Sequence, residues 1–200
     1  MQNKELTTAT ITAEEPSTAL SISNFDHAQR VAKALSASTM IPAGYQNNIP
    51  NTLVALEMAH RIGASPLMVM QNLHIIHGRP SWSSSFIIAA LNSCGRFSAL
   101  NFETSADGKS CTAIATELAT GSVIKGPTVS LEMANAEGWA TKSGSKWRTM
   151  PELMLRYRAA AFFGRLYAPE ILMGMQTAEE VADIASTDAK TKVADLNAKL

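Results

Sequence analysis

The chain has 200 residues, 46% of them hydrophobic, and its 17 basic residues are balanced by 17 acidic ones. This length and composition suit one domain with a real core, and the balanced charge excludes a protein that is cationic over its whole surface. A nucleic-acid partner would therefore have to meet a local concentration of positive charge.

The cellular setting is indicated by what the sequence lacks. No early segment combines a basic start with an apolar core, and no apolar run reaches the ~20 residues that cross a bilayer. The two cysteines, Cys94 and Cys111, stand among small or apolar residues, which predicts buried free thiols in a reducing compartment. We therefore expect a cytoplasmic protein with no membrane contact.

The first third of the chain predicts short helices. Residues 1–23 are rich in Thr, Ala, Ser and Glu, which predicts a disordered N-terminal segment. Asn24 is a suitable N-cap for a first helix, and Asn51 for a second that ends at Gly63. Pro66 then suits the first turn of a third.

The middle of the chain changes to a strand-like period. Residues 73–77 predict a strand that leads into a turn, and residues 83–92 predict a buried helix. Turn signals at Asp107-Gly108 and Thr120-Gly121 then separate three alternating runs, as in an antiparallel meander. These runs are Phe97 to Glu103, Ser110 to Ala119, and Ser122 to Lys125.

The last third returns to helices. A short helix is predicted from Thr128 to Glu137, and the longest helix from Pro151 to about Tyr167. Thr177 and Glu180 form a capping box for a last helix, and residues 186–200 are expected to fray. The order predicts an α+β fold over residues 24–185, with a small antiparallel sheet of about three strands.

Positive charge is concentrated between residues 142 and 165. This stretch holds six basic residues and one acid, a net charge of +5, whereas residues 1–141 carry −2 and residues 166–200 carry −3. One loop and one helix should therefore produce most of the positive field of the protein. The basic residues are Lys142, Lys146, Arg148, Arg156, Arg158 and Arg165.

Two arginines of the long helix are candidate phosphate ligands. Arg158 and Arg165 are seven residues apart, so they share one face about 10 Å apart. Neither has an acid within helical reach, which favours phosphate over ion pairs with distant carboxylates such as Glu57 or Glu132. Arg156, in contrast, lies four residues after Glu152, and an ordinary surface pair is favoured there.

Trp147 stands between Lys146 and Arg148, and two interpretations are open. An aromatic ring between cations can stack on a base, whereas packing of the loop onto the long helix is the more common role of such a residue. Packing is favoured. The serines around Trp82 similarly favour capping of the next helix over phosphate binding.

The sequence contains no strong catalytic, nucleotide-binding or metal-binding motif. The P-loop pattern has no match, and His74 and His77 would face opposite sides of a strand with no further ligands. We expect no catalytic residues, no metal and no cofactor, and the chain is predicted not to be an enzyme.

The segment 145–159, SKWRTMPELMLRYRA, followed by Gly164-Arg165-Leu166, resembles the signature of the RecT/Redβ family of phage single-strand DNA annealing proteins. Residues 61–66 and 87–97 resemble further parts of the family pattern, and the similarity extends from about Ala28 to Ala182. Some members have Lys where this chain has Glu152.

The resemblance implies a recombinase that anneals complementary DNA strands without ATP in homologous recombination. It implies rings or helical filaments of the chain, and as further partners a phage exonuclease and a single-strand-binding protein, in the cytoplasm and nucleoid of a bacterial host. By the resemblance, Arg158 and Arg165 hold phosphates, Arg156 matches a basic position in the same helix, and Trp147 lies at the groove margin. Lys142, Lys146 and Arg148 are added as DNA-binding candidates from the charge pattern. The alternatives are a sequence-specific duplex-binding protein and a metal-dependent nuclease.

Overall fold

A computed structural model describes residues 24–76 and 78–184. The segments predicted to be disordered at the N-terminus and frayed at the C-terminus, residues 1–23 and 186–200, lie outside the described residues, as does His77. Three helices come first: α1 (Phe25–Ser36), α2 (Ile49–Ile62) and α3 (Pro66–Asn72).

The caps of these helices follow from side-chain chemistry. Asn24 Oδ1 accepts a 2.8 Å hydrogen bond from the backbone N–H of His27, as the sequence predicted. The prediction that Asn51 caps α2 is wrong, because Asn48 accepts from the Asn51 N–H and Pro50 occupies the first turn. Gly63 ends α2 with φ of 65°, a conformation that glycine adopts without strain.

A small hairpin follows, formed by β1 (Leu73–Ile76) and β2 (Arg79–Trp82) in antiparallel pairing. The sequence predicted only the first of these strands, because residues 78–80 were interpreted as a turn. Trp82 also forms a parallel bridge with Thr177, and its backbone N–H donates to the Gln176 carbonyl. The hairpin is therefore joined to a segment almost a hundred residues later in the chain.

Helix α4 (Ser84–Ser93) is capped by Ser83, whose Oγ accepts from the Phe86 N–H, so capping by a serine is confirmed. Cys94 follows the helix and is exposed, whereas Cys111 is buried. The expectation of two buried thiols is thus wrong for Cys94, because the chain turns at the surface at Gly95, where φ is 72°.

The main sheet is antiparallel in the order β3 (Asn101–Thr104), β4 (Ser110–Thr116) and β5 (Val123–Ser130), which confirms the α+β class and the three-stranded meander. Strand β5 is longer than predicted and includes residues assigned to the following helix. That helix, α5 (Leu131–Ala136), starts after Ser130, whose Oγ accepts from the Met133 N–H.

The last helices are α6 (Lys146–Thr149), α7 (Pro151–Tyr167), α8 (Pro169–Leu172) and α9 (178–184). The limits of α7 are those that the sequence predicted. It packs on β4 and β5 with one side and on α4 with another. Gly126 lets Phe163 approach the sheet, since a Cβ at position 126 would lie 3.3 Å from two atoms of that side chain.

None of the helices within the described ranges combines the length and apolar character needed to span a membrane.

Candidate nucleic-acid interface

Arg158 lies in the middle of α7 and is buried, with 3% of its side chain exposed. Its Nη2 is 2.6 Å from Oδ2 of Asp183, and its Nη1 is 3.9 Å from Oε1 of Glu180. The guanidinium carbon lies 3.9 Å from the centroid of the Trp139 ring. Arg158 is therefore enclosed by two carboxylates and an aromatic face of its own chain.

The prediction that Arg158 binds phosphate rather than a carboxylate of its own chain is therefore wrong. Burial lowers the pKa of the Arg158 guanidinium, and the charges of Glu180 and Asp183 act in the opposite direction. Both carboxylates come from α9, beyond the break at Pro169, so the spacing of residues within α7 could not reveal them.

Arg165 also pairs with α9, but it remains accessible. Its Nη2 lies 2.7 Å from each carboxylate oxygen of Glu180, while 43% of its side chain is exposed. Glu180 in addition closes the predicted capping box, since it accepts from the Thr177 N–H and its own N–H donates to Thr177 Oγ1. The Glu180 carboxylate thus caps the N-terminus of α9 and also forms the ion pair with Arg165 of α7.

Trp147 is buried, with 2% exposure, and packs 5.4 Å from Trp139 between ring centroids. Its Nε1 donates a 2.9 Å hydrogen bond to Asp183 Oδ2. The packing interpretation is confirmed, and the ring offers no face to a base. Lys142 also contacts Asp183, since its Nζ lies 2.7 Å from Asp183 Oδ1.

The cations on either side of Trp147 have a different environment. Lys146 and Arg148 are exposed, and neither forms an ion pair within the described part of the chain. Arg156 is 45% exposed and pairs with Glu152, as the i, i+4 spacing predicted. Such an exposed pair contributes only a few tenths of a kcal/mol, about 0.3–0.5, so a phosphate could compete for the guanidinium.

Exposed apolar surface lies beside one of these cations, Arg156, whereas Lys146 lines a separate depression that also contains Glu179 and Asp183. A cleft of about 510 Å³ is present at the start of α7, where Met150 is 43% and Leu153 is 39% exposed. Its lining residues are Thr149, Met150, Pro151, Glu152, Leu153 and Arg156. Positive charge next to apolar surface suits a single strand, which presents both phosphates and unpaired bases.

The structure also reduces the charge asymmetry of the sequence. Helix α9 brings Glu179, Glu180 and Asp183 against the basic segment. The net charge of residues 142–165 is +5, and these three carboxylates lower the local sum to +2. Sequence reasoning missed both ion-pairing carboxylates, although the capping box had already placed Glu180 at the start of a helix.

Within residues 24–76 and 78–184, no three His, Cys, Asp or Glu side chains are grouped so that they could hold a metal ion.

Comparison with models of protein families gives no match, and comparison with curated proteins gives none either. The resemblance to the RecT/Redβ family therefore stays a prediction, which rests on the motif in residues 145–166 and its flanking segments.

Proposed function

We propose that this chain binds single-stranded DNA and anneals complementary strands without ATP, as a recombinase of homologous recombination. The observation that carries the proposal is the exposed pair Lys146 and Arg148 on α6, a helix followed directly by α7, where the exposed Arg156 lines an apolar cleft. The sequence motif supports the same proposal, because these residues also belong to the segment that resembles the annealing family.

The mechanism relies on charge neutralisation. Two complementary strands repel each other through their phosphates, and cations along a shared track lower that repulsion while the base edges stay free to pair. The groups available for this purpose are Lys146, Arg148, Arg156 and the exposed part of Arg165. Arg158 and Trp147 act beneath them as the buried support.

Sequence-specific reading of duplex DNA is less well supported. A recognition helix must present side chains to the major groove. Eight residues of α7, from Met154 to Gly164, are buried, so this helix cannot enter a groove without unfolding the core. No group of side chains in the described residues favours the nuclease alternative.

We further propose that copies of the chain assemble into a ring or filament, as the resemblance implies, since a track that aligns two strands requires several subunits. A phage exonuclease, a single-strand-binding protein and a location at the nucleoid of a bacterial host belong to the same proposal.

The deciding experiment mixes two complementary oligonucleotides, one with a fluorophore and one with a quencher, with the full chain and no nucleotide triphosphate. We expect the duplex to form faster than it does without the protein, whichever strand is added first. The same acceleration is expected for complementary pairs of other sequences. An unchanged rate together with no binding to either single strand would rule out the proposal. Loss of labelled strand with divalent metal present would instead indicate a nuclease.

A further inference from the structure

Asp183 makes contacts with three elements that precede it in the chain. Its carboxylate accepts from Trp147 Nε1 at 2.9 Å, lies 2.6 Å from Arg158 Nη2, and lies 2.7 Å from Lys142 Nζ. The side chain is 3% exposed. One carboxylate on α9 therefore binds the loop before α6, α6 itself and α7.

Helix α6 depends on contacts of this kind. It has four residues, Lys146–Thr149, which is too short for a helix to be stable by its own hydrogen bonds. Its single buried side chain is Trp147, and this residue separates the two exposed cations, Lys146 and Arg148. The direction in which these cations project is therefore set by the place and rotation of the Trp147 ring.

Three contacts hold the indole ring, of which one is the Arg158 guanidinium, whose central carbon lies 5.6 Å from the ring centroid. Trp139 packs against it, with 5.4 Å between ring centroids, which fixes its depth in the core. The Nε1–H bond to Asp183 fixes which edge of the ring faces α9, because another orientation would leave the buried indole N–H without an acceptor. Glu180 reaches Arg158 and Arg165, whereas Asp183 is the acid bonded to the indole.

We infer that Asp183 is a positioning residue for DNA binding: through Trp147 it orients α6 so that Lys146 and Arg148 face the phosphates of a single strand. This inference rests on the proposed function. It assigns to a buried acid a favourable effect on the binding of a polyanion, the opposite of the effect that its charge alone would have.

That reversal of sign provides the test. Asp183→Ala removes a negative charge near the interface together with the acceptor of the Trp147 Nε1–H bond, and electrostatics alone predicts tighter binding of DNA. Positioning predicts weaker binding, because phosphate contacts of Lys146 and Arg148 are lost. Each lost contact reduces the slope of log K against log salt by about 0.7 and raises the Kd about fivefold at 0.1 M salt.

The experiment measures fluorescence anisotropy of a labelled oligothymidylate with the full chain over a salt series. For Asp183→Ala we expect a Kd about five- to 25-fold higher and a slope lower by about 0.7 to 1.4. In this background, Lys146→Ala with Arg148→Ala should have much less effect than in the wild type. Equal or tighter binding with the wild-type slope, or fully additive effects, would overturn the inference.

Two further variants separate positioning from stability. Glu179→Gln removes the same charge from α9 at a residue bonded to Ser84 rather than to Trp147, and its slope should equal that of the wild type. Trp147→Phe keeps an aromatic ring and the Arg158–Asp183 pair but lacks the Nε1–H. It should reproduce the reduced slope, and it decides the question alone if Asp183→Ala fails to fold; a wild-type slope for Trp147→Phe contradicts positioning.

The wild type provides the remaining distinction. If it does not bind the oligonucleotide, the proposed function fails. If it binds with a strong salt dependence and the variants at positions 183 and 147 are unchanged, only the positioning role fails.

Discussion

The guanidinium of Arg158 lies over the ring of Trp139, 3.9 Å from its centroid, with Asp183 at 2.6 Å from Nη2. A charge in such a site is stable only while its partners are present, because neither the arginine nor the acids can regain water in the folded chain. The basic helix is thus held in the core by the acids of α9.

Arg158→Ala should be strongly destabilising. It leaves the buried carboxylates of Asp183 and Glu180 without their main partner, and breaking a buried pair in this way costs about 3–5 kcal/mol. Urea denaturation followed by circular dichroism measures the loss. The matched control is Arg156→Ala, which removes an exposed pair with Glu152 and should cost about 0.5 kcal/mol. Equal stability of the two variants would contradict the internal role of Arg158.

Lys146→Ala combined with Arg148→Ala should reduce the salt slope of single-strand binding by about 1.4, since two phosphate contacts are lost. Stability should change little, because both side chains are exposed. Arg30→Ala with Lys33→Ala removes the same two residue types from the exposed face of α1 and serves as the control. A slope that changes equally in both double variants would indicate general electrostatics rather than an interface at α6.

Tyr45 should make the protein sensitive to alkali. Its hydroxyl donates a 2.6 Å hydrogen bond to the Leu73 carbonyl, and burial raises its pKa from 10.0 to about 12. Between these values the unfolded chain has lost the phenolic proton and the folded chain retains it. Stability from this group is therefore complete below pH 10 and is lost as the pH rises towards 12.

Urea midpoints measured at rising alkaline pH test this expectation. Tyr45→Phe should be about 1 kcal/mol less stable at neutral pH, through the lost hydrogen bond, and should lose less stability than the wild type on alkalisation. The same fall in both proteins would show that other groups control the alkaline limit.

The two thiols should differ in reactivity. Cys94 is exposed after α4, whereas Cys111 is buried in β4 and burial raises the pKa of its thiol. A thiol reagent should modify one cysteine of the native chain rapidly and the second only when urea unfolds the protein. Cys94→Ser should abolish the rapid phase, and a rapid phase that survives this change would assign it to Cys111.

The elements were predictable where local rules act. Proline, the apolar pattern and the break at Pro169 determine α7, and its predicted limits agree with those observed. Alternation and Gly turns predicted the meander. The second strand of the hairpin was missed because Gly and Pro in residues 78–80 indicate a turn. Pro80 is tolerated in this two-stranded sheet because both strands are edge strands, and the pairing that makes them so is not visible in the local sequence.

The site was predictable only in part, for the same reason. The i, i+4 pair of Arg156 and the burial of Trp147 follow from local spacing and side-chain type. The partners of Arg158 lie 22 and 25 residues later in the chain, and no helical period links positions across two breaks. The capping box indicated where α9 begins, yet nothing in it indicated which surface the helix covers.

The bridge between Trp82 and Thr177, together with the ion pairs of α9, has a consequence for the order of events during synthesis. The ribosome makes α7 before it makes residues 180 and 183, so Arg158 emerges without the acids that neutralise it. Until α9 has left the exit tunnel, burial of α7 would place the charge of Arg158 in the core without a partner. The sheet and the first helices can form early, but α7 can dock only after α9 has been synthesised.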